Sequence, residues 1–138
     1  MQPLTDAAPT DPREECRALG QVIDRIGDKW TVMVVGHLSA GQSMRFNALM
    51  RAIPGVSHRM LTLTLRGLQR DGLVRRTAFP TIPPRVDYEL TELGQSLTGP
   101  LSILAEWANL KRQSMEAAQR QYDAEVTESE TDTRRSAR

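Results

Sequence analysis

Apolar side chains recur along this chain at helical spacing and then, in one stretch, at strand spacing. Leu19, Val22, Ile23 and Ile26 follow i, i+3, i+4, i+7, which predicts an amphipathic helix ended by Gly27, with Asp28 as the N-cap of the next. That next helix places Trp30, Met33, Val34 and Leu38 on one side, and SAGQS breaks it. A short third helix fits RFNALMRAI, where Phe46, Leu49, Met50 and Ile53 are apolar and Pro54-Gly55 is the stop. In SHRMLTLTLRGLQRDGL, Ser57 is a natural N-cap, Leu61, Leu65 and Leu68 stack on one face, and Gly72 ends the helix. Stepping about 100° per residue from Leu61 puts Arg59, Thr62, Leu63 and Arg66 on the far side, with Arg70 at the end.

After Gly72 the period changes. LVRRTAF and RVDYELT alternate as two strands would, joined by the proline-rich PTIPP. Thr91 caps a last helix that carries Leu93, Leu97, Leu101, Leu104 and Ala108, with a kink or restart expected at Gly99-Pro100. Residues 1–12, with three prolines, read as a disordered arm, and residues 123–138 as a disordered tail. The 138 residues therefore hold a single domain, residues 13–122. Helix, helix, short helix, turn, helix, hairpin, helix is the order of a winged helix-turn-helix: mainly α with a small β wing.

Net charge is only +1, yet it is unevenly spread. Residues 1–44 balance to −2, residues 45–91 to +5 and residues 92–138 to −2, and every base in the middle stretch is an arginine. Arginine suits bidentate contact with phosphate and guanine. A helix enters the major groove with its N-terminal turns and outward face, so Ser57, His58, Arg59, Thr62 and Arg66 are the candidates for reading double-stranded DNA. Ser57 can equally serve only as a cap, and His58 falls partly toward the buried side. Arg45, Arg75, Arg76 and Arg85 are the candidates for phosphate contact, although Arg75 and Arg76 alternate across a strand and only one can face a given side. Arg85 follows the wing tip, Tyr88 and Leu90 are expected to pack inward, Trp30 reads as core, and Lys29 is a weaker phosphate candidate.

Other functions fit less well. His37 and His58 lie on different helices, Cys16 is the single cysteine, and no glycine-rich phosphate loop is present, so neither an enzyme nor a bound cofactor or metal is expected. No apolar run approaches the roughly 20 residues of a membrane span, and MQPLTDAAPTDPREEC lacks the basic and apolar segments of a signal peptide, which predicts a cytoplasmic protein. The main competitor is a winged-helix adaptor that contacts protein, and the +5 stretch argues against it.

The segments CRALGQVIDRIGDKWT, RFNALMRAIPGVSHRMLTLTLRGLQRDGLVRRTAFPTIPPRVDYELTELGQSL and EWA, from Cys16 to about Leu110, resemble the HxlR-type regulators within the MarR-like winged-helix group. GDKW, RFNAL, DGLV, PPRVDYELTELG and EW occur together and in order. The resemblance implies a homodimeric bacterial transcription factor, often a repressor, on a pseudopalindromic operator, with the dimer built by N- and C-terminal helices. Leu19, Val22, Leu101, Leu104, Trp107 and Leu110 are the corresponding interface candidates; packing within one subunit is the plainer alternative. A small-molecule effector is compatible with this reading, and no residue identifies one. The resemblance also implies a role for Cys16, since a cysteine just ahead of the first helix senses oxidants or electrophiles in some of these regulators. Arg13 and Arg17 favour a reactive thiolate there, while the adjacent Glu14 and Glu15 and the lack of a second cysteine favour an inert thiol.

Overall fold

A computed structural model of the chain describes residues 11–137. Helix α1, Pro12–Ile26, starts where the Asp11 side chain accepts the Arg13 N–H, and proline stands where a helix needs no amide donor. The first ten residues of the expected arm lie outside the described residues; Asp11 and Pro12 belong to the helix start. Helix α2, Lys29–Leu38, begins at Asp28, whose carboxylate accepts the Thr31 N–H at 3.2 Å. Its buried side is Thr31, Val34, Val35 and Leu38. Met33 is exposed and Trp30 half-buried, with the Lys29 ammonium 4.5 Å from the centre of its ring. The expected face is therefore rotated, because α2 is apolar nearly all round and its period does not select one side.

Helices α3, Phe46–Ala52, and α4, His58–Arg70, form the helix-turn-helix across the Ile53–Ser57 turn, where Gly55 takes φ +80°. The Ser57 hydroxyl oxygen accepts the Met60 N–H at 3.1 Å. At the other end Leu73 N–H reaches Leu68 O at 2.9 Å and Gly72 N–H reaches Gln69 O at 3.1 Å, with Gly72 at φ +77°. This is the Schellman closure expected of a glycine just past a helix. Leu61, Leu65 and Leu68 are fully buried with Val34, Val35, Leu38, Leu49 and Ile53, and these side chains form the core.

The wing is a sheet of three strands: β1, Met44–Arg45; β2, Val74–Phe79; and β3, Arg85–Leu90; in the order β1-β3-β2, all antiparallel. The sequence pattern gives only β2 and β3, since a two-residue strand has no period to detect. Val74, Arg76 and Ala78 pair with Leu90, Tyr88 and Val86 on one face; Arg75, Thr77 and Phe79 pair with Glu89, Asp87 and Arg85 on the other.

Helix α5, Glu92–Ser136, begins at Thr91, whose hydroxyl oxygen accepts the Gly94 N–H at 3.1 Å and whose O–H donates to Gly72 O at 2.6 Å. A side chain at Gly94 would collide with the Leu73 carbonyl, so only glycine lets α5 start this close to the end of α4. The helix passes through Pro100 without ending, and it continues across residues 123–136, where disorder is expected. Half of that stretch is Asp, Ser and Thr, which are weak helix formers, and it lacks a strong apolar rhythm, which is why its pattern reads as tail. Among the described residues, 11–99 and 100–137 form separate compact units.

Candidate nucleic-acid interface

The middle stretch has three acids, and each is held by an arginine. Asp71 pairs with Arg25 of α1 at 2.6 Å, Glu89 with Arg75 at 3.3 Å, and Asp87 with Arg85 at 2.8 Å. Arg45, Arg51, Arg59, Arg66, Arg70 and Arg76 make no ion pair among the described residues. The positive excess expected from composition is thus carried by these six side chains.

Three of them mark the outer side of α4 and its flank. Arg59 and Arg66 are exposed, opposite the buried leucines. Arg66 shares a small hollow with Thr62, Gln69, Arg76 and Tyr88, so this face of the wing brings Arg76 beside α4. Thr62 is half-buried and its O–H donates to the His58 carbonyl at 2.8 Å, which turns its hydroxyl along the helix. His58 is exposed, but its ring leans on Phe46 with centroids 4.7 Å apart. Ser57 is engaged as the cap. The first turn of α4 is consequently shaped by its own local bonds, and the exposed guanidinium groups project beyond it.

Arg75 and Arg85 sit elsewhere. Both lie on the sheet face turned away from the α4 hollow. Arg85 holds Asp87 with two bonds, Nε to Oδ1 at 3.0 Å and Nη2 to Oδ2 at 2.8 Å, and its guanidinium lies 5.1 Å from the Phe79 ring centre. The buried Asp87 also accepts from the Ser43 hydroxyl at 3.4 Å. Hydrogen bonding from Arg85 holds the Asp87 carboxyl below the usual carboxylate range against the opposing effect of desolvation, with further help from the charges of Arg85 and Arg45. The same bond raises Arg85. Arg85 is therefore paired within the wing while its side chain stays exposed. Asp87 is the organising residue that sequence reading missed. Its signal is the i, i+2 spacing from Arg85, which places both on one face of a strand.

Among the interface candidates, Leu19, Val22, Leu104, Trp107 and Leu110 are each more than half exposed, whereas Leu101 is buried within the single chain. No side chain of α1 is buried. Cys16 is exposed and lies within α1, past its first turn, so it is beyond reach of the unpaired amides at the helix start. A crevice of about 780 Å³ opens beside Val22, Ile26, Leu73 and Leu97, with Arg25, Arg70 and Asp71 at its rim. No helix among the described residues is long and apolar enough to cross a membrane, and no cluster of side chains there could hold a metal ion.

The model of the family described as HxlR-like helix-turn-helix matches residues 25–116. The HTH-type transcriptional regulator YybR of Bacillus subtilis (strain 168), itself uncharacterised, is 37% identical over 106 residues, covering 77% of this chain and 84% of the relative. Among solved structures, the redox regulator HypR in its reduced form is 37% identical with a TM-score of 0.67, covering 72% of this chain and 98% of that one. A MarR-family transcriptional regulator from Enterococcus faecalis V583 is 35% identical with a TM-score of 0.63, covering 80% of this chain and 97% of that one.

Proposed function

The chain belongs to the HxlR-like helix-turn-helix family of transcriptional regulators, and from that premise we propose that it binds a pseudopalindromic operator as a homodimer and represses by occupying it. The observation that carries this reading is the sorting of arginine: the acids of the middle stretch are all committed, and Arg59, Arg66 and Arg76 stand without carboxylate partners on and beside the outer face of α4. With α4 in the major groove, Arg59 and Arg66 reach base edges and Arg76 the flanking phosphates, while Ser57, His58 and Thr62 offer shorter contacts from the first turns. Arg45 extends the phosphate track, whereas Arg75 and Arg85 serve chiefly to hold the wing's shape. The exposed Leu19 and Val22 of α1, and Leu104, Trp107 and Leu110 of α5, support dimerisation, since half-exposed apolar stripes on both helices call for a cover. A two-fold pair sets the recognition helices in successive major grooves about 34 Å apart.

Release of the operator follows either of two signals. The crevice beside Val22 and Leu97 has room for a small effector, and Cys16 offers an exposed thiol to an oxidant or electrophile. Mild oxidation followed by non-reducing electrophoresis tests the second route; no covalent dimer and no loss of DNA binding would remove it.

Gel shifts with promoter DNA across a salt series test the proposal itself. Specific binding is expected to weaken steeply as salt rises, through release of counterions from phosphate. Replacing Arg59 and Arg66 together by alanine is expected to abolish specific binding, at about 1–3 kcal/mol per lost base contact, with the fold intact. Retained specific affinity would overturn the assignment, and a chain without any sequence preference would be an adaptor.

A further inference from the structure

Helix α4 presents four side chains along its outermost line. Arg59, Leu63, Arg66 and Arg70 follow at intervals of four, three and four residues, and stepping about 100° per residue gathers them into an arc of about 60° opposite the buried Leu61. The three arginines are exposed and make no ion pair among the described residues. Leu63 is the one apolar side chain of α4 on that arc, and it is 49% exposed. It takes no part in the core, which Leu61, Leu65 and Leu68 enter from the other side of the helix. Nor does it line the hollow beside the wing, to which α4 contributes Thr62, Arg66 and Gln69.

The neighbours of Leu63 restrict what can cover it. A protein surface that buried the leucine would also bury guanidinium groups on both sides of it, and charged side chains are depleted at the centre of protein interfaces. The major groove of a duplex accepts both kinds of side chain: guanine offers O6 and N7 to arginine, and thymine offers an apolar 5-methyl group. We infer that Leu63 packs on the 5-methyl group of a thymine in each half-site, so that the chain selects thymine at that position. Helical rise sets Arg59 and Arg66 about 10 Å apart along the axis, roughly three base steps, with Leu63 between them. The selected thymine therefore lies between the positions that those two arginines contact. A helical side chain leans over the turn before its own Cα, which turns Leu63 toward Arg59 and the N-terminal half of α4. The inference rests on the DNA-binding reading above and adds a base to it, since a contact with a base edge carries sequence information that a phosphate contact does not.

Removing single methyl groups from the DNA tests it. Duplexes that the full chain retains from a randomised pool supply a bound sequence, and each thymine in it is replaced in turn by deoxyuridine, which keeps the base pair and lacks only the 5-methyl group. At one thymine per half-site the replacement is expected to weaken binding about fourfold, the worth of one buried methyl group. Leu63→Ala is expected to bind thymine and deoxyuridine at that position alike. The leucine is half exposed and alanine is the better helix former, so this variant keeps the fold. Deoxyuridine accepted at every position by the natural chain, or a thymine preference that survives in Leu63→Ala, overturns the inference and leaves DNA binding standing. A retained sequence with no thymine between the positions that lose selectivity in Arg59→Ala and Arg66→Ala does the same. A pool that yields no preferred sequence overturns both readings.

Discussion

Helices α1 and α4 are both amphipathic, with branched apolar side chains repeating at three and four residues, yet they end in opposite situations. Helix α4 buries Leu61, Leu65 and Leu68 almost completely, while α1 buries nothing and leaves Leu19, Val22 and Ile23 half exposed or more. Periodicity reports that a helix has an apolar face; it does not report whose side chains cover that face. For α4 the cover is local, because the turn after α3 and the strand after Gly72 fold it back onto α2 within a few dozen residues. For α1 the described residues leave the stripe largely uncovered, and that difference separates the residues that make the fold from those left for the assembly proposed above.

Substitutions on the two stripes should part accordingly. Leu65→Ala is expected to cost about 2–5 kcal/mol of folding stability, read by chemical denaturation, because it opens a cavity in a closed core. Equal loss from Leu19→Ala would break the contrast. On α1, Leu19→Ser is expected to weaken the dimer by about 1–3 kcal/mol in sedimentation at varied concentration, with little change in the unfolding of the dissociated chain. Ser57→Ala sharpens the comparison from the side of α4: loss of the cap is expected to cost about 0.5–2 kcal/mol, measured by thermal or chemical melting.

The smallest expected effect is on pH. The Asp87 carboxyl is held below the usual carboxylate range, so its contribution is complete above about pH 4 and is lost as pH falls through the lowered value. Melting temperature should therefore show an acid decline that shrinks in Asp87→Asn, while the two proteins keep a constant offset near neutrality. An identical acid limb in both would mean that the Arg85 bond does not stabilise the wing.

Much of the architecture is legible in the chain because its boundaries are chemical. Asp28, Ser57 and Thr91 cap as their positions require, and Gly72 closes α4 in the only backbone region where glycine is favoured. Strand β1 escapes notice because Met44 and Arg45 take their conformation from β3 and not from their own pattern. The rotated face of α2 escapes for the converse reason, an excess of apolar residues. In the interface, Arg59, Arg66 and Arg76 keep the exposure that the helical wheel and strand alternation anticipate. Arg85 is exposed as well but is paired, and a charge count cannot show that Asp87, two residues on, holds it.

The ion pair between Arg25 and Asp71 crosses directly over Gly67 in the middle of α4, and a side chain at 67 would collide with the guanidinium. Alanine there would raise the intrinsic helix preference of α4 by about 1 kcal/mol, since glycine is a poor helix former. It would also push Arg25 off its seat and loosen the strap that ties the far end of α4 to α1. The bare hydrogen at position 67 thus gives up local helix preference to leave room for a tie between α1 and the end of α4.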